Sequence, residues 1–351
     1  MDAYALLSEM PKVDLHVHLD GCIKPETLVR LALRQGMLLP TNDEIELLPF
    51  VQVGEDCTNL KEYLAKFDFV LPFLQTGEAL EQVAYEVVEQ AAEHRIKYIE
   101  VRFAPQLHRN AGLSVDETIS RVIEGLRLGE DRFGVKARTI AICMRNHPAE
   151  ANLEVVDAAS RFIGRGLVAV DLAGDESSYP ASLFREVFSL AREKSIPITI
   201  HAGEAGGPDN IEEAVLGLGA SRIGHGVRLN ENDNVFSLVR EQRIPLELCP
   251  TSNIQTKAVE GWDAYPIREY FEQGILFTVN TDNPGVSGTD ITKEYRLLAE
   301  KFGFTLREIT TLILNGVEAS FLEPGEKADL KHEFEIILSR LGVYDLKETA
   351  S

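Results

Sequence analysis

The stretch that decides the fold is Val13-Asp14-Leu15-His16-Val17-His18-Leu19-Asp20-Gly21, close to the N-terminus. Its composition predicts one short strand that runs into a turn. Successive side chains of a strand point to opposite faces, so His16 and His18 project together while the apolar residues face the other way. Paired imidazoles on a rigid strand suit a zinc-class ion. A lone His-x-His is equally compatible with two half-buried polar residues, so the rest of the chain must decide.

Short β-rich runs alternate with segments of helical spacing along the whole chain, and no low-complexity tract or linker interrupts them. This alternation is typical of a parallel sheet, and eight such units favour a closed (β/α)₈ TIM barrel over an open sheet. The predicted strands are 13–18, 98–103, 138–144, 167–172, 197–201, 222–225, 244–248 and 275–281. Helical spacing is seen in 80–94, 115–133, 182–194 and 234–241.

The segment between the first two predicted strands, 24–95, is far too long for one helix. We therefore expect a helical insert of several helices that caps one end of the barrel. After the last strand, 305–321 and 331–341 are predicted as extra C-terminal helices, joined by a turn at Pro324-Gly325. No composition break marks a boundary, so residues 1–351 are predicted to form a single domain.

One helix of the insert carries apolar residues at three- and four-residue spacing. They are Leu60, Tyr63, Leu64 and Phe67. This spacing predicts one apolar helix face. Ordinary core packing and an apolar lid over a pocket both explain such a face.

The charge balance argues against several classes of partner. With 35 Lys+Arg and 56 Asp+Glu the formal net charge is −21, so a nucleic acid or an anionic membrane surface is a poor partner. No window supplies the roughly 18 unbroken apolar residues of a membrane helix, and the first residues do not resemble a secretory signal. The four cysteines are scattered without C-x-x-C spacing, which favours the reducing cytoplasm.

Metal-binding and proton-transferring residue types fall at the ends of the predicted strands. Each of them alone is compatible with a satisfied core histidine or a turn residue. The C-terminal ends of all the strands of a barrel open on one mouth, so together they predict one site. They are His16, His18 and Asp20 after strand one, Gly174 within Asp171–Glu176 after strand four, His201 and Glu204 after strand five, His225 after strand six, and Asp282 and Asn283 after strand eight.

This ordered set of motifs resembles the adenosine deaminase family of the metal-dependent amidohydrolase superfamily. The stretches that carry the resemblance are Lys-Val-Asp-Leu-His-Val-His-Leu-Asp-Gly at 12–21, Asp-Leu-Ala-Gly-Asp-Glu at 171–176, His-Ala-Gly-Glu at 201–204, Gly-His-Gly at 224–226 and Thr-Asp at 281–282. They span most of the chain. The zinc signature of the cytidine deaminases, H-x-E followed by P-C-x-x-C, does not occur in the sequence.

The resemblance implies hydrolytic deamination of adenosine and 2′-deoxyadenosine, with one zinc ion per subunit and a water on its open position. The implied zinc ligands are His16, His18, His201 and Asp282. His225 is implied to orient the water and to be able to take its proton, and Glu204 to protonate the purine N1. The implied substrate contacts are His18, Asp20 to the ribose 5′-hydroxyl, the backbone N–H of Gly174 to N3, and position 283 to N7. The apolar helix face resembles the gate of this family.

Asn283 departs from the family pattern, because many members have a second aspartate there. A carboxamide still presents N–H donors to an unprotonated ring nitrogen, so Asn283 is compatible with purine recognition. Two alternatives therefore stay open at this point. One is deamination of a related amino-purine, such as adenine, a methylated adenine nucleotide or an aminofutalosine-type nucleoside. The other is a catalytically silent binding protein, against which the intact zinc and acid set argues.

Overall fold

Eight parallel strands form the inner wall of a barrel in the computed structural model, which describes residues 3–54, 57 and 60–345. The strands are β1 (Lys12–His18), β2 (Ile96–Phe103), β3 (Lys136–Met144), β4 (Leu167–Ala173), β5 (Thr199–Ala202), β6 (Arg222–His225), β7 (Leu246–Leu248) and β8 (Phe277–Val279). Hydrogen bonds join neighbouring strands in two runs of four, one in the order β1-β2-β3-β4 and the other in the order β5-β6-β7-β8. Single bridges connect the two runs, Val170 to Ile198 on one side and Val17 to Asp282 on the other, so the ring closes.

Helices connect the strands and cover the outside of the ring. In chain order the α-helices of the described ranges are α1 (Ala3–Glu9), α2 (Pro25–Gln35), α3 (Glu44–Val51), α4 (Leu60–Val70), α5 (Gly77–Glu93), α6 (Val115–Phe133), α7 (Ala149–Ser160), α8 (Arg185–Glu193), α9 (Pro208–Glu212), α10 (Asp233–Glu241), α11 (Pro250–Gln255), α12 (Ile267–Glu272), α13 (Pro284–Ser287), α14 (Ile291–Phe302), α15 (Leu306–Ala319) and α16 (Pro324–Arg340). Within these ranges no helix combines the length and the apolar composition needed to cross a bilayer.

The predicted TIM barrel is confirmed, with all eight strands within two residues of their predicted ends. The insert forms α2 to α5, as expected for a segment too long for one helix. One predicted helix is divided, because 182–194 begins as a 3-10 turn at Ala181–Phe184 before α8. The prediction of a turn at Pro324-Gly325 is wrong. Pro324 instead occupies the first position of α16, where its missing N–H and fixed φ favour a helix start.

Charged side chains, rather than apolar layers alone, fill the interior below one end of the barrel. Glu247 of β7 lies between two guanidinium groups, Arg102 at 2.7 Å and Arg222. Arg102 also pairs with Asp171 of β4 at 2.9 Å, and Arg222 pairs with Glu100 of β2 at 2.6 Å. All five side chains are at most 1% exposed. Buried charges persist only when paired, so these contacts fix how strands β2, β4, β6 and β7 face one another.

Candidate metal and catalytic site

The four residues predicted as metal ligands converge at the mouth of the barrel. Asp282 Oδ1 lies 3.4 Å from His16 Nε2 and 3.3 Å from His18 Nε2. His18 Nε2 lies 3.3 Å from His201 Nε2. The ligand atoms of the three histidines all lie within 4.8 Å of one another. Residues separated by up to 266 positions along the chain thus surround one point.

Two buried carboxylates orient the imidazole rings. Glu247 Oε2 accepts a hydrogen bond from Nδ1 of His16 at 2.7 Å, and Asp171 accepts one from Nδ1 of His201 at 3.0 Å. Each carboxylate therefore holds the ring proton on Nδ1 and leaves Nε2 with a free lone pair, which is the arrangement of metal-binding histidines. Burial lowers the pKa of His16 from 6.5 to about 4 and that of His18 well below 6.5, so both are neutral at pH 7.

Unpartnered polar atoms mark the point where an ion fits. His16 Nε2 and Asp282 Oδ1 are buried and have no hydrogen-bond partner. An unpaired buried polar group is costly unless a further ligand satisfies it. Two ligand atoms held about 2.0–2.1 Å from one ion at a tetrahedral angle lie about 3.4 Å apart, which matches the separations between these side chains. The donor set of imidazoles and one carboxylate suits a zinc-class ion.

Asp282 is held by its backbone as well as by its side chain. Its φ of 60° lies in the left-handed region, which is uncommon for a residue with a Cβ and has an energetic cost that the surrounding structure must offset. Its N–H donates to the carbonyl of His16 and its carbonyl accepts from the N–H of His18, both at 2.8 Å. Ser252 Oγ donates to Oδ2 at 2.6 Å, so Oδ1 remains available to an ion.

The predicted proton-transferring pair also lies at the mouth. Glu204 follows β5, and its Oε2 is 3.5 Å from Nε2 of His225, the last residue of β6. Burial raises the pKa of Glu204 above its usual value, against the opposing effect of His225. Asn253 Nδ2 donates to Nδ1 of His225 at 3.0 Å, while its own Oδ1 accepts from the hydroxyl of Tyr265 at 2.9 Å. Nδ1 of His225 is therefore an acceptor, which places the ring proton on Nε2, facing Glu204.

The residues predicted to contact a substrate lie around the same mouth. Asp20 is half-buried in the turn after β1, and burial raises its pKa from 3.8 to about 6. Gly174 is exposed directly after β4, with a φ of 108° that L side chains rarely adopt. Asn283 is 4% exposed and its Oδ1 has no partner in the structure. Asn283 directly follows the metal-ligand candidate Asp282 in the sequence.

The predicted apolar face of α4 divides into two parts. Tyr63 is 2% exposed and its hydroxyl lies 2.8 Å from Ser287 Oγ, and Phe67 packs into the same small cluster, which contains Val286 of α13. Leu64 does not share this face, because it is 45% exposed. Successive helical residues lie about 100° apart, so Leu64 points away from the stripe formed by residues four apart. The side chain of Leu60 lies outside what the structure describes.

Sequence reasoning did not assign several residues that support the site. They are Arg102, Asp171, Glu176, Glu247, Ser252 and Asn253. Asp171 and Glu176 lie in the strand-end motif 171–176, although no role was assigned to either, and a separate signal existed for Glu247. Glu247 stands between two leucines in a strand buried on both faces, where an acid must have a charged or hydrogen-bonding partner. The identity of that partner could not be deduced from the strand itself.

Comparisons with a family profile and with curated proteins point to the same family. The family profile described as adenosine deaminase matches residues 11–336. The chain is 44% identical over 324 residues to an adenosine deaminase of Clostridium botulinum, which covers 92% of this chain and 96% of that protein. The chain belongs to the adenosine deaminase family. An adenosine deaminase of Enterococcus faecalis is 43% identical over 327 residues, which is 93% of this chain and 96% of that protein.

Solved structures of an adenine deaminase and of an N6-methyl-AMP deaminase share the barrel. The crystal structure of an adenine deaminase from Arthrobacter aurescens superposes with a TM-score of 0.86 at 28% identity, covering 94% of this chain and 99% of that one. The apo structure of the N6-methyl-AMP deaminase from Arabidopsis thaliana gives a TM-score of 0.83 at 27% identity, covering 95% and 98%. Adenosine deaminases are metal-dependent hydrolases, which agrees with the His/Asp group at the mouth of this barrel.

Proposed function

We propose that this protein hydrolyses adenosine and 2′-deoxyadenosine to inosine and 2′-deoxyinosine and releases ammonia. One observation carries the proposal. The unpartnered ligand atoms of His16 and Asp282 face each other beside the Glu204–His225 pair, so a metal site and a proton donor share one mouth. The relatives named adenosine deaminase at about 43% identity support the same reaction.

Zinc is the ion that we propose for this site, one per chain, held by His16, His18, His201 and Asp282. When bound, it lowers the pKa of a coordinated water from 15.7 toward about 7, so that the water can act as a nucleophile at neutral pH. The imidazole nitrogens and the Asp282 carboxylate supply this ion with the ligand types it prefers. Burial acts to raise the pKa of Asp282, but the surrounding imidazoles of His16, His18 and His225 outweigh it and hold that pKa well below its usual value.

Glu204 begins the reaction as a carboxylic acid, which its raised pKa favours. It transfers its proton to N1 of the purine, which makes C6 more electrophilic. The hydroxyl of the attacking water then adds to C6, and the C6–N bond breaks to release ammonia. His225 orients the water through Nε2 and exchanges a proton with Glu204 at 3.5 Å. One water proton thereby replaces the proton lost by Glu204, and the other leaves with ammonia.

Three residues around the mouth recognise the nucleoside in this proposal. Asp20 accepts from the ribose 5′-hydroxyl, and its negative charge disfavours a 5′-phosphate. The backbone N–H of Gly174 donates to N3. Asn283 donates from its amide nitrogen to N7. Tyr63 and Phe67 of α4 close over the ring as an apolar lid.

We also propose a cytoplasmic setting and a single domain spanning the chain. Cys22, Cys143 and Cys249 are buried free thiols, which suits a reducing compartment. One contiguous apolar cluster extends from Leu7 to Leu338 and supports one folding unit. The net charge of −21 is compatible with a small purine nucleoside and unfavourable for nucleic acids or anionic membranes.

A substrate panel on metal-defined protein tests the proposal. Adenosine, 2′-deoxyadenosine, adenine, AMP and N6-methyl-AMP are each supplied, and ammonia release is measured together with the loss of purine absorbance. We expect the two nucleosides to be consumed and AMP to be a poor substrate. Asp20→Asn should reduce the ratio of kcat/KM for adenosine to kcat/KM for AMP, because it removes the charge that repels the 5′-phosphate. Consumption of adenine or a nucleotide with no turnover of adenosine would refute the assignment.

Glu204→Gln tests the proton donor. We expect this variant to retain zinc and to lose about 10²–10⁴-fold in turnover, the usual contribution of general acid–base catalysis. Glu213→Gln is the matched control, because Glu213 forms an ion pair with Arg185 on the outside of the barrel. Normal turnover by Glu204→Gln would remove Glu204 from this role.

A further inference from the structure

The carboxylate of Glu176 receives four successive backbone N–H groups. Glu176 lies three residues after β4 and is 3% exposed. Its Oε1 accepts from Gly203 at 2.7 Å. Its Oε2 accepts from Glu204 and Ala205 at 3.0 Å each, and from Gly206 at 2.8 Å. All four donors belong to the turn that follows β5.

These contacts determine the path of the turn. Gly203 adopts a φ of 70°, and four consecutive N–H groups converge on one point only in a curled backbone of the kind that binds an anion. Glu176 supplies that anion from a different strand end. Arg145 and Arg228 are close enough to interact electrostatically with it, and Arg228 Nη1 also donates to the carbonyl of Ala205 at 3.3 Å. The positive charges of both guanidinium groups therefore act on the same carboxylate.

The turn held in this way carries the proton donor. Glu204 is the second of the four residues, and its own N–H is one of the four donors. A shift of the turn would move the Glu204 carboxyl relative to His225, from which it is 3.5 Å away, and relative to the purine N1. The side chains of the metal ligands would be affected less, because His201 is held separately by Asp171.

We propose that Glu176 is a positioning residue that fixes the Glu204 carboxyl for proton transfer, in addition to anchoring the turn. The inference rests on the proposed function, since Glu204 must be the proton donor for its position to matter. A purely structural anchor would lower stability and leave turnover by the folded, metal-loaded protein unchanged. A positioning residue lowers kcat while the KM for adenosine and the metal content stay near their normal values.

Glu176→Gln is the first variant. Its carboxamide has one oxygen for the two carboxylate positions, so an amide N–H₂ group must face at least one backbone N–H. We expect kcat for adenosine to fall about 10–100-fold, because misplacement by about 1 Å has costs of this size. KM should stay within about threefold and zinc content should be unchanged. Glu213→Gln again serves as the control, because it makes the same substitution outside the site, and it should leave kcat and KM unaltered.

Gly206→Ala perturbs the same contact while it leaves the carboxylate in place. A Cβ at position 206 would lie 2.8 Å from Glu176 Cδ and Oε1, so the carboxylate must move. It would also meet Asn210, and Asn210→Ala is therefore measured in parallel and should leave kcat unchanged. Amide hydrogen exchange in segment 202–207 should be faster in Gly206→Ala and in Glu176→Gln than in the wild-type protein.

The double variant separates this inference from the proposed function. If Glu204→Gln turns over normally, Glu204 is not the donor and the proposed mechanism fails. If Glu204→Gln is slow, Glu176→Gln in that background should cause no further loss of kcat, because its effect passes through Glu204. Additive losses, or a normal kcat in folded, metal-loaded Glu176→Gln, would overturn the positioning role. Should Glu176→Gln not fold, a normal kcat in Gly206→Ala overturns it instead.

Discussion

Replacing Glu247 by glutamine should weaken metal binding, although Glu247 is not itself a proposed ligand. Its carboxylate is 0% exposed and has four side-chain donors. Oε2 accepts from His16 and Arg102 at 2.7 Å each, and Oε1 accepts from Thr199 at 2.8 Å and from Arg222. In either orientation of the new amide, its N–H₂ group faces a guanidinium N–H. In one of them it also faces Nδ1 of His16.

The expected magnitude follows from two separate losses. An amide N–H₂ directed at His16 favours the tautomer with its proton on Nε2, the nitrogen that should bind the metal. Changes in such supporting partners cost about 10–100-fold in metal affinity, or about 1.4–2.7 kcal/mol. Removing the charge also leaves Arg102 and Arg222 incompletely compensated, and breaking a buried pair costs about 3–5 kcal/mol of folding free energy. The change of the His16 tautomer lowers the affinity for the metal, and the incompletely compensated arginines lower the free energy of unfolding.

The two losses can be measured independently. The Kd of the metal is obtained by competition with a chromophoric chelator at fixed pH, and the free energy of unfolding of the apoprotein is obtained from urea titration. Thr199→Val is the matched control, because it removes one hydrogen bond from a neutral donor to the same carboxylate and keeps the charge. It should cost about 1.5–3 kcal/mol of stability, the usual range for a hydrogen bond to a charged group, and should leave the metal Kd nearly unchanged.

One result would refute this reasoning. If Glu247→Gln loses stability but binds the metal with the wild-type Kd, the carboxylate does not control the tautomer of His16. The hydrogen bond of 2.7 Å would then serve the fold alone.

Three further predictions address the lid, base recognition and pH. Tyr63→Phe removes the hydroxyl contact with Ser287 and should raise the KM for adenosine several-fold with little change in kcat; a fall in kcat at constant KM would contradict a lid role. Asn283→Asp places a buried acid near N7 that is productive only when protonated, so kcat/KM of this variant should fall more steeply with rising pH than that of the wild type. Burial raises the pKa of Glu294 from 4.5 to about 7, so the unfolded chain ionises first and stability falls as pH rises from about 4.5 to about 7. Glu294→Gln should remove up to about 3 kcal/mol of that decline in urea titrations at pH 5 and 7.5, and an identical pH dependence in both proteins would disprove the assignment.

The barrel was predictable because its signals are local. Each strand is a short apolar run of β-rich composition between helical segments, and eight repeats leave few alternatives. The errors occur where a local signal has two meanings. Pro324-Gly325 resembles a turn, yet proline is also favoured at the first position of a helix, and that is where α16 begins.

Within the site, the residues at strand ends could be predicted but their supporting contacts could not. Position at the strand ends predicted that His16, His201 and Asp282 share one mouth, and the resemblance to the adenosine deaminase family implied that they are metal ligands. The hydrogen bond from His16 to Glu247 crosses 231 residues of sequence, and no periodicity specifies which buried acid meets which imidazole. The contact of Glu176 with the turn after β5 is harder still, because its four donors are backbone groups that every residue type shares.

The seam of the barrel has a consequence for how the protein becomes active. The hydrogen bonds between Asp282 and the β1 backbone are the last link of the ring, and they also bring the carboxylate to His16 and His18. Forming these contacts closes a long loop of the chain, which costs conformational entropy. A chain in which this seam is open has no assembled metal site. Assembly of the site therefore requires closure of the barrel, and a bound ion would stabilise the closed seam.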